Sequence, residues 1–402
     1  MEKLKIGVIG LGGRGRFHAD MLCDMAKDPS FPYKLELVAL CDVYSDRVEA
    51  AAAAAKEKTG LMPNIYTNEN DFVNDPHLEA AIIATSWQTH IKIAAKAMKK
   101  GIRPAIECGG ASTLEECFGL VSLYEETGVP CMFLENCNYG REEMALLNMT
   151  EKGVFGELVH IQCGYQHDLR GIAESWERRH YRLDHHIHRN GEFYPMHGLG
   201  PMMKLLKINN GNRFVSLVSI SSKARGLKEW AKAHLPADHH IQDKTINQGD
   251  IITTVLKCAN GETLLLTHDT TLPRPYSRGG RVQGTKGIWM EDNKSIYIEN
   301  ISPEHTWENF YDFIEKYGYE HPMWAEYKNA GIKEAGHGGM DYLVVREFIK
   351  SASQKTEPPI DTYEAALLCC ITPLSEKSIA LGSHPVEVPD FTRGLYMTRG
   401  EK

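Results

Sequence analysis

Apolar runs and helical stretches alternate through the first third of the chain. Leu4–Ile9 is a short apolar run with β-branched residues, and Leu35–Leu40, Glu79–Ala84, Pro104–Glu107 and Val129–Leu134 follow it as further strands. Helical stretches stand between them: one runs through Met25, one holds the alanine run Ala50–Ala55, and one opens at Ser112-Thr113-Leu114-Glu115 and closes at Gly128. The Ser112-to-Glu115 spacing reads as a capping box. Strands alternating with helices predict a doubly wound parallel sheet. After about residue 150 the period changes. Glu157–Tyr165, Val215–Ser222, Ile251–Cys258, Glu262–Thr270 and Gly287–Met290 alternate in steps of two, separated by turns such as Ala259-Asn260-Gly261. They predict an open, mainly antiparallel sheet. Helical patterns lie at Pro201–Lys207, Gly339–Ala352 and Thr362–Ala380. The expected fold is therefore an α/β Rossmann domain over residues 1–135 followed by an α+β domain over 136–402, with the helix near 362–382 packing back on the first.

Composition narrows this little. A length of 402 residues suits two domains, and a net charge of -8 argues against nucleic acid as a partner. No apolar run has the length of a membrane helix, and the first residues read as leading straight into a strand, so no signal peptide is expected in this stretch. The ten cysteines form no CxxC pair and several lie in apolar runs. They read as reduced thiols of a cytoplasmic protein.

Candidate chemistry begins at the first strand. Gly10-Leu11-Gly12-Gly13-Arg14-Gly15 is a G-x-G-x-x-G run between a strand and a helix, the pattern that lets backbone approach a pyrophosphate at a helix N-terminus. Asp42 ends the second strand, where an acid accepts hydrogen bonds from ribose hydroxyls and repels a 2′-phosphate, so NAD is favoured over NADP. The plainer alternative is that Asp42 caps the next helix. Ligands sit outside the carboxyl ends of such strands, which places Trp87, His90, Glu107 and Glu135-Asn136 at one rim. Glu135 is a candidate acid–base group if burial raises its pKa, or else a helix cap or ribose contact.

In the second domain Tyr194-Pro195-Met196-His197 puts a phenol and an imidazole three residues apart, ahead of the glycine-rich start of an apolar helix. Tyr165-Gln166-His167-Asp168-Leu169-Arg170 is polar where a core strand would be apolar. A tyrosine of ordinary pKa about 10 needs a cationic neighbour or a charged ligand to act as a base. Arg274-Pro275-Tyr276-Ser277 offers another phenol. The run from His180 to His188 is rich in histidine but lacks a zinc-type spacing, so it reads as a polar loop without metal, in which Arg182 is available to a substrate oxygen.

With these residues in hand, the N-terminal half resembles the Gfo/Idh/MocA oxidoreductases. The rest resembles one branch of them, glycoside hydrolase family 109, the NAD-dependent α-N-acetylgalactosaminidases. The likeness is carried by Glu135-Asn136-Cys137-Asn138-Tyr139, by the Gly164–Arg170 and Asn190–Gly198 blocks, by Arg274-Pro275-Tyr276, and by the blocks 222–227, 336–341 and 371–376. Superfamily dehydrogenases carry Glu-Lys-Pro after the fifth strand, whereas this chain has Glu107-Cys108-Gly109-Gly110. The lysine that acts at the reacting carbinol is missing, as it is in the hydrolase branch.

The resemblance implies a glycosidase that works by reversible oxidation at sugar C3, removal of the C2 proton, elimination of the aglycone, addition of water and return of the hydride, outside the two-carboxylate scheme. It implies sugar contacts from Tyr165, Arg182, Tyr194, His197 and Tyr276, with Glu135 close by. Tyr165 would be the C2 base, His197 would handle the C3 hydroxyl proton, since an imidazole transfers protons reversibly near neutrality, and Glu135 would assist the leaving group or water. Cofactor contacts fall on Gly10, Gly12, Gly13, Arg14, Gly15, Asp42, Trp87, Gln88, Thr89, His90, Glu107, Cys108 and Asn136. An NAD-dependent sugar or inositol dehydrogenase is the alternative. Members of the superfamily commonly assemble through the exposed face of the second sheet, so a homo-oligomer is expected.

Overall fold

The computed structural model describes residues 3–330 and 336–399. The chain forms two compact units. The first holds Met1–Asn136 and Lys333–Cys369, and the second holds Cys137–Ile332 and Cys370–Lys402. Against the expected division into 1–135 and 136–402, the first unit extends to Asn136 and takes Lys333–Cys369, and with it the start of the helix Thr362–Ala380 and the whole helix Met340–Gln354. Its first turn carries Asp341, which is bound to Arg14 there, and Tyr342 meets Phe31 edge-on with ring centroids 6.2 Å apart. Neither contact has a local sequence signature.

The first unit contains a six-stranded parallel sheet of β1 (Leu4–Ile9), β2 (Leu35–Cys41), β3 (Asn64–Tyr66), β4 (Ala80–Ile83), β5 (Arg103–Ile106) and β6 (Met132–Phe133). Its order, β3-β2-β1-β4-β5-β6, is that of a doubly wound dinucleotide-binding sheet. Ile6 and Val8 on β1 and Ile82 and Ile83 on β4 are fully or almost fully buried, as central strands covered on both faces require. β6 is shorter than the apolar run 129–134. Pro130 has no N–H for a ladder, and the Cys131 N–H goes instead to Thr362 Oγ1 at 2.9 Å.

The capping box sits one residue later than the spacing suggested. Thr113 Oγ1 accepts the Glu116 N–H at 3.3 Å, and the Glu116 carboxylate accepts the Thr113 N–H, so the helix Leu114–Thr127 is capped by Thr113. Gly128 closes it with φ 67°, a left-handed position that favours glycine.

The second unit holds a nine-stranded sheet: β7 (Leu158–Gln166), β8 (Phe214–Ser221), β9 (Ile251–Cys258), β10 (Thr263–Asp269), β11 (Arg281–Gly284), β12 (Gly287–Met290), β13 (Ser295–Ile298), β14 (Glu308–Asn309) and β15 (Val386–Glu387). The order is β14-β13-β12-β11-β7-β10-β9-β8-β15. All pairs are antiparallel except β7 with β10. The inner face carries Ile161, Cys163 and Tyr165 of β7 and Leu264, Leu266 and His268 of β10.

The helix Met196–Leu205 starts five residues before the predicted Pro201 and contains that proline. Pro201 has no N–H to give to the carbonyl four residues back, at His197, so the helix passes through it without that bond. The stretch expected as a polar histidine loop is a short helix, Arg182–His188. Leu183 and Ile187, one turn apart, bury themselves with Ile172, Leu227, Ala231 and Ile241 in a satellite core, which is what makes the segment helical.

Candidate active site

In the first unit the glycine run turns from β1 into the helix Gly13–Lys27. Gly10 has φ 87°, and a Cβ there would meet the Ala84 carbonyl at 2.6 Å. A Cβ on Gly15 would stand 1.7 Å from the Gly10 oxygen. These two glycines are required by the protein's own packing. Gly12 and Gly13 are not: a Cβ at Gly12 would find only Arg47 Nη1 at 3.7 Å, and one at Gly13 nothing within 4 Å. That open cradle, at a helix N-terminus whose cap has no side chain to offer, fits a pyrophosphate.

Asp42, the expected ribose contact, is engaged with backbone of its own chain. Its Oδ2 accepts the Leu11 N–H at 2.5 Å and its Oδ1 accepts the Tyr44 N–H at 3.0 Å, so it ties the glycine loop to the start of the next helix, whose N-cap is Tyr44. Arg47 Nη1 lies 4.0 Å away. Trp87, Gln88, Thr89 and His90 form the first turn of the helix Trp87–Lys99. Thr89 Oγ1 donates back to the Ser86 carbonyl at 2.8 Å, and His90 Nε2 lies 3.0 Å from the Thr85 oxygen. Burial keeps His90 below its ordinary pKa and so neutral. Gln88 Oε1 and His90 Nδ1 are buried with no partner among the described residues.

Glu107 and Cys108 follow β5. Glu107 Oε1 lies 2.6 Å from His18 Nε2 and accepts Arg14 Nη2. Arg14 also reaches Asp341, which in turn accepts Asn136 Nδ2 at 2.8 Å and lies 2.7 Å from His337 Nδ1. Arg14, Glu107 and Asn136, read from the sequence as cofactor contacts, are thus joined in one charged cluster with Asp341, His18 and His337, which the sequence reading did not place in the site. Cys108, where a superfamily dehydrogenase would have lysine, is buried and its thiol donates to Glu135 Oε2 at 3.2 Å. Glu135 is fully buried. Gly109 is required by its neighbour: a Cβ there would strike the Trp87 ring at 2.2 Å.

The second unit gathers the other predicted residues around the end of β7. Tyr165 lies with its ring centroid 4.6 Å from Tyr194, 5.4 Å from His197 and 6.2 Å from Tyr276. Tyr194 meets His197 edge-on at 4.8 Å. The helix bearing His197 approaches so closely because Gly198 packs backbone to backbone on Gly164: a Cβ at 198 would stand 2.4 Å from the Gly164 nitrogen. The Arg182 guanidinium sits 5.3 Å from the centroid of the Tyr194 ring and hydrogen-bonds the Tyr165 hydroxyl. Burial works against its charge, but the phenols of Tyr165, Tyr181 and Tyr194 hold its pKa above the ordinary arginine value. This is the cationic neighbour that a tyrosine base needs.

Further residues complete the cluster. His167 Nδ1 lies 3.2 Å from the Tyr165 hydroxyl, and its ring meets Tyr276 edge-on at 5.1 Å. It stands two residues after Tyr165, hence on the same side of an extended chain, a spacing that marks it in the sequence. His268, on β10 and paired with Tyr165 of β7, is buried and its pKa is pushed down to about 3 by burial and by Arg182. Burial, then Arg189 and Arg182, push the pKa of His185 down to about 4, and burial, with His268 and Arg182 as neighbours, holds His186 well below the ordinary histidine range. Tyr276 is half-exposed, and its hydroxyl accepts from Arg278, which is itself paired with Glu143.

A separate group, Glu177, His239 and His240, also converges. His239 Nδ1 accepts the Ile241 N–H at 3.3 Å, so its Nε2 carries the proton and donates to Glu177 at 3.1 Å. That hydrogen-bonded arrangement leaves His239 no lone pair for a metal.

Among the described residues, no helix is long and apolar enough to cross a membrane.

Residues 139–398 match the family model described as glycosyl hydrolase 109, C-terminal domain, and residues 4–134 match that of the oxidoreductase family, NAD-binding Rossmann fold. The chain is 39% identical over 420 residues to an α-N-acetylgalactosaminidase of Tannerella forsythia, covering 98% of this chain and 88% of that protein. It is 39% identical over 423 residues to a glycosyl hydrolase family 109 protein of Stenotrophomonas maltophilia, covering 99% and 91%. Among solved structures, levoglucosan dehydrogenase in complex with NADH superposes with a TM-score of 0.72 at 17% identity, over 97% of this chain and all of that one. The myo-inositol dehydrogenase of Lactobacillus casei, in complex with NAD(H) and myo-inositol, gives 0.61 at 16%, over 97% and 99%.

Proposed function

The chain belongs to glycosyl hydrolase family 109 and is an NAD-dependent enzyme acting on glycosides; on that premise we propose that it hydrolyses α-N-acetylgalactosaminides through transient oxidation at C3 and proton removal at C2. One observation carries the reading. Two phenols, Tyr165 and Tyr194, meet both the imidazole of His197 and the partly buried Arg182 cation, while the dehydrogenase lysine position is held by a thiol bonded to Glu135.

The open cradle at Gly12 and Gly13, Asp42, and the turn Trp87 to His90 would hold the cofactor, whose contribution when bound is a reversible hydride acceptor that acidifies the sugar's C2–H bond. Arg182 orients the sugar and stabilises negative charge on Tyr165. Tyr165 takes the C2 proton and returns it when water adds. His197 holds and releases the proton of the 3-hydroxyl. Tyr194 and Tyr276 contact the ring. Glu135, kept dry and oriented by the Cys108 thiol, serves the departing glycosidic oxygen or the entering water.

The test is a panel of nitrophenyl glycosides turned over in deuterated water. The expected result is nitrophenol release from the α-N-acetylgalactosaminide with deuterium at C2 of the product and no net NADH. Product free of C2 deuterium would refute the cycle. Steady NADH formation from a free sugar would return the enzyme to the dehydrogenases.

We also propose a homo-oligomer formed on the outer face of the second unit's sheet. Ile220 and Val255 stand there 56% and 44% exposed, and Val218 is paired with Val255. Replacing Ile220 and Val255 by lysine should yield monomers by light scattering, and an unchanged mass would exclude this face.

A further inference from the structure

One titratable group in the cluster has no role in the reading above. His167 follows β7 at the position where the strand ladder ends, its N–H bonded to the Asp269 carbonyl at 2.8 Å, so its backbone is fixed. Its Nδ1 is 3.2 Å from the Tyr165 hydroxyl. The ring is partly open to solvent, whereas Tyr165 is buried. His167 therefore links a buried phenol to water.

A phenol of ordinary pKa about 10 does not readily pass its proton to an imidazole of about 6.5. Arg182 changes that balance. It hydrogen-bonds the same hydroxyl, so a phenolate formed on the buried Tyr165 faces a guanidinium in surroundings of lowered dielectric. The groups facing His167 are Tyr165 on its own strand, Arg182 on the Arg182–His188 helix, His197 on the Met196–Leu205 helix, Tyr276 after β10, and its neighbour Asp168. Burial, Arg182 and His197 disfavour its cation, while Asp168 favours it. The resting imidazole is neutral and has a lone pair to offer.

We propose that His167 accepts the Tyr165 hydroxyl proton and hands it to solvent, making it a positioning residue that sets Tyr165 as the C2 base. The steps balance. The Tyr165 O–H bond breaks and an N–H bond forms on His167, which then loses that proton to water. The Tyr165 oxygen next takes the C2 proton as the C2–H electron pair forms the C1–C2 double bond and the glycosidic oxygen leaves with the C1–O pair, taking up a proton from solvent. When water adds at C1 it gives up one proton to solvent, Tyr165 returns its proton to C2 and is a phenolate again, and between turnovers His167 removes the proton that solvent restores to that oxygen, so the base is charged for each new substrate.

This inference rests on the assignment of Tyr165 above, and the experiment separates the two. The NAD-loaded enzyme is assayed with 4-nitrophenyl α-N-acetylgalactosaminide, reading kcat, KM and C2 deuterium incorporation against pH. His167→Asn keeps an acceptor near the phenol but cannot take a proton. It should lower kcat and C2 exchange about 10–100-fold, leave KM within about twofold, and abolish an acid limb that in the native enzyme lies below the ordinary histidine range. His167→Ala should fall similarly and be partly restored by added imidazole, which a merely structural role would not allow. NAD binding and thermal melting check that both variants are folded. An Asn variant with native kcat and the native acid limb, or an Ala variant that imidazole leaves unchanged, overturns the proposal. If Tyr165→Phe keeps C2 exchange, the base assignment itself fails. If only the His167 variants behave as native, that assignment stands and His167 alone is removed.

Discussion

Glu107 Oε1 lies 2.7 Å from Arg14 Nη2, joining the end of β5 to the first turn of the helix after the glycine loop. The same oxygen is 2.6 Å from His18, and Arg14 continues to Asp341 at 3.0 Å. Glu107 and Asp341 are buried, which alone would raise their pKa, but Arg14, with His18 and His337 respectively, holds both well below the usual carboxylate range. Glu107 thus shapes the cofactor loop as a structural anion, whatever contact it also makes to a ligand.

The clamp should give the protein an acid-sensitive step. A carboxylate whose folded pKa is depressed contributes stability that is present above its unfolded pKa, near 4, and lost as pH falls below it. The native enzyme without NAD should therefore lose stability steeply below about pH 4.5. Asp341→Asn should flatten that fall and cost about 2–3 kcal/mol at pH 7, less than a fully buried pair because Arg14 retains access to water. Urea unfolding at a series of pH values measures both, and a variant as acid-sensitive as the native protein would remove Asp341 from the account.

The glycines divide into two kinds. Gly12→Val should weaken NAD binding on the order of 100-fold, about 2.7 kcal/mol, with little change in melting temperature, since only Arg47 Nη1 lies within 4 Å of the new Cβ. Gly15→Ala should lower the melting temperature even without NAD, because its methyl meets the Gly10 oxygen at 1.7 Å. Calorimetric NAD titration beside thermal scanning tells them apart. Equal loss of stability in both would mean the cradle is needed by the protein and not by the cofactor.

Close approach also fixes the position of His197 in the second unit. Gly198→Ala places a methyl 2.4 Å from the Gly164 nitrogen. The His197 helix must shift away from β7, and a displacement of about 1 Å at a reacting group costs about 100-fold in rate. We expect kcat on the nitrophenyl glycoside to fall by about that factor while NAD affinity is unchanged. Native kcat would show that the His197–Tyr165 distance has slack.

These residues also show what a sequence can and cannot disclose. Strands β1, β9 and β12 and the helix Thr362–Ala380 coincide with their apolar patterns, because periodicity is local. Tyr165 was legible as part of a polar run where a core strand would be apolar, Tyr194 and His197 as a phenol and an imidazole three apart, and Arg182 and Tyr276 chiefly through the family resemblance; the structure brings their side chains together. The Arg14–Asp341 pair was not legible, for its members are 327 positions apart and no local rule links them. The Cys108–Glu135 bond was hidden for the same reason. The shifted cap at Thr113 and the shortened β6 reflect choices between near-equal local options that distant partners settle.

Glu192 provides the last expected outcome. It lies two residues before Tyr194, is fully buried, and accepts the Tyr194 N–H at 3.1 Å with one oxygen. Its own N–H is held by Ser375 Oγ at 2.9 Å. Burial raises its pKa to about 8, against which the Tyr194 hydrogen bond is the smaller influence. The carboxyl is therefore largely neutral at pH 7 in the folded enzyme and ionised in the unfolded chain. A group whose folded pKa is raised contributes stability that is complete below its unfolded pKa, near 4.5, and is lost as pH rises towards the folded value. The native enzyme should then become progressively less stable from about pH 4.5 to pH 8 relative to Glu192→Gln, an amide that keeps the acceptor and cannot ionise. Melting temperatures of the two proteins across that range measure the difference, which should grow with pH and level off above about 8. Activity should diverge in the same direction, since an anion forming behind Tyr194 would pull on the segment that carries His197. Melting curves that stay parallel at every pH would mean that Glu192 has the same charge folded and unfolded, and the raised pKa would be wrong.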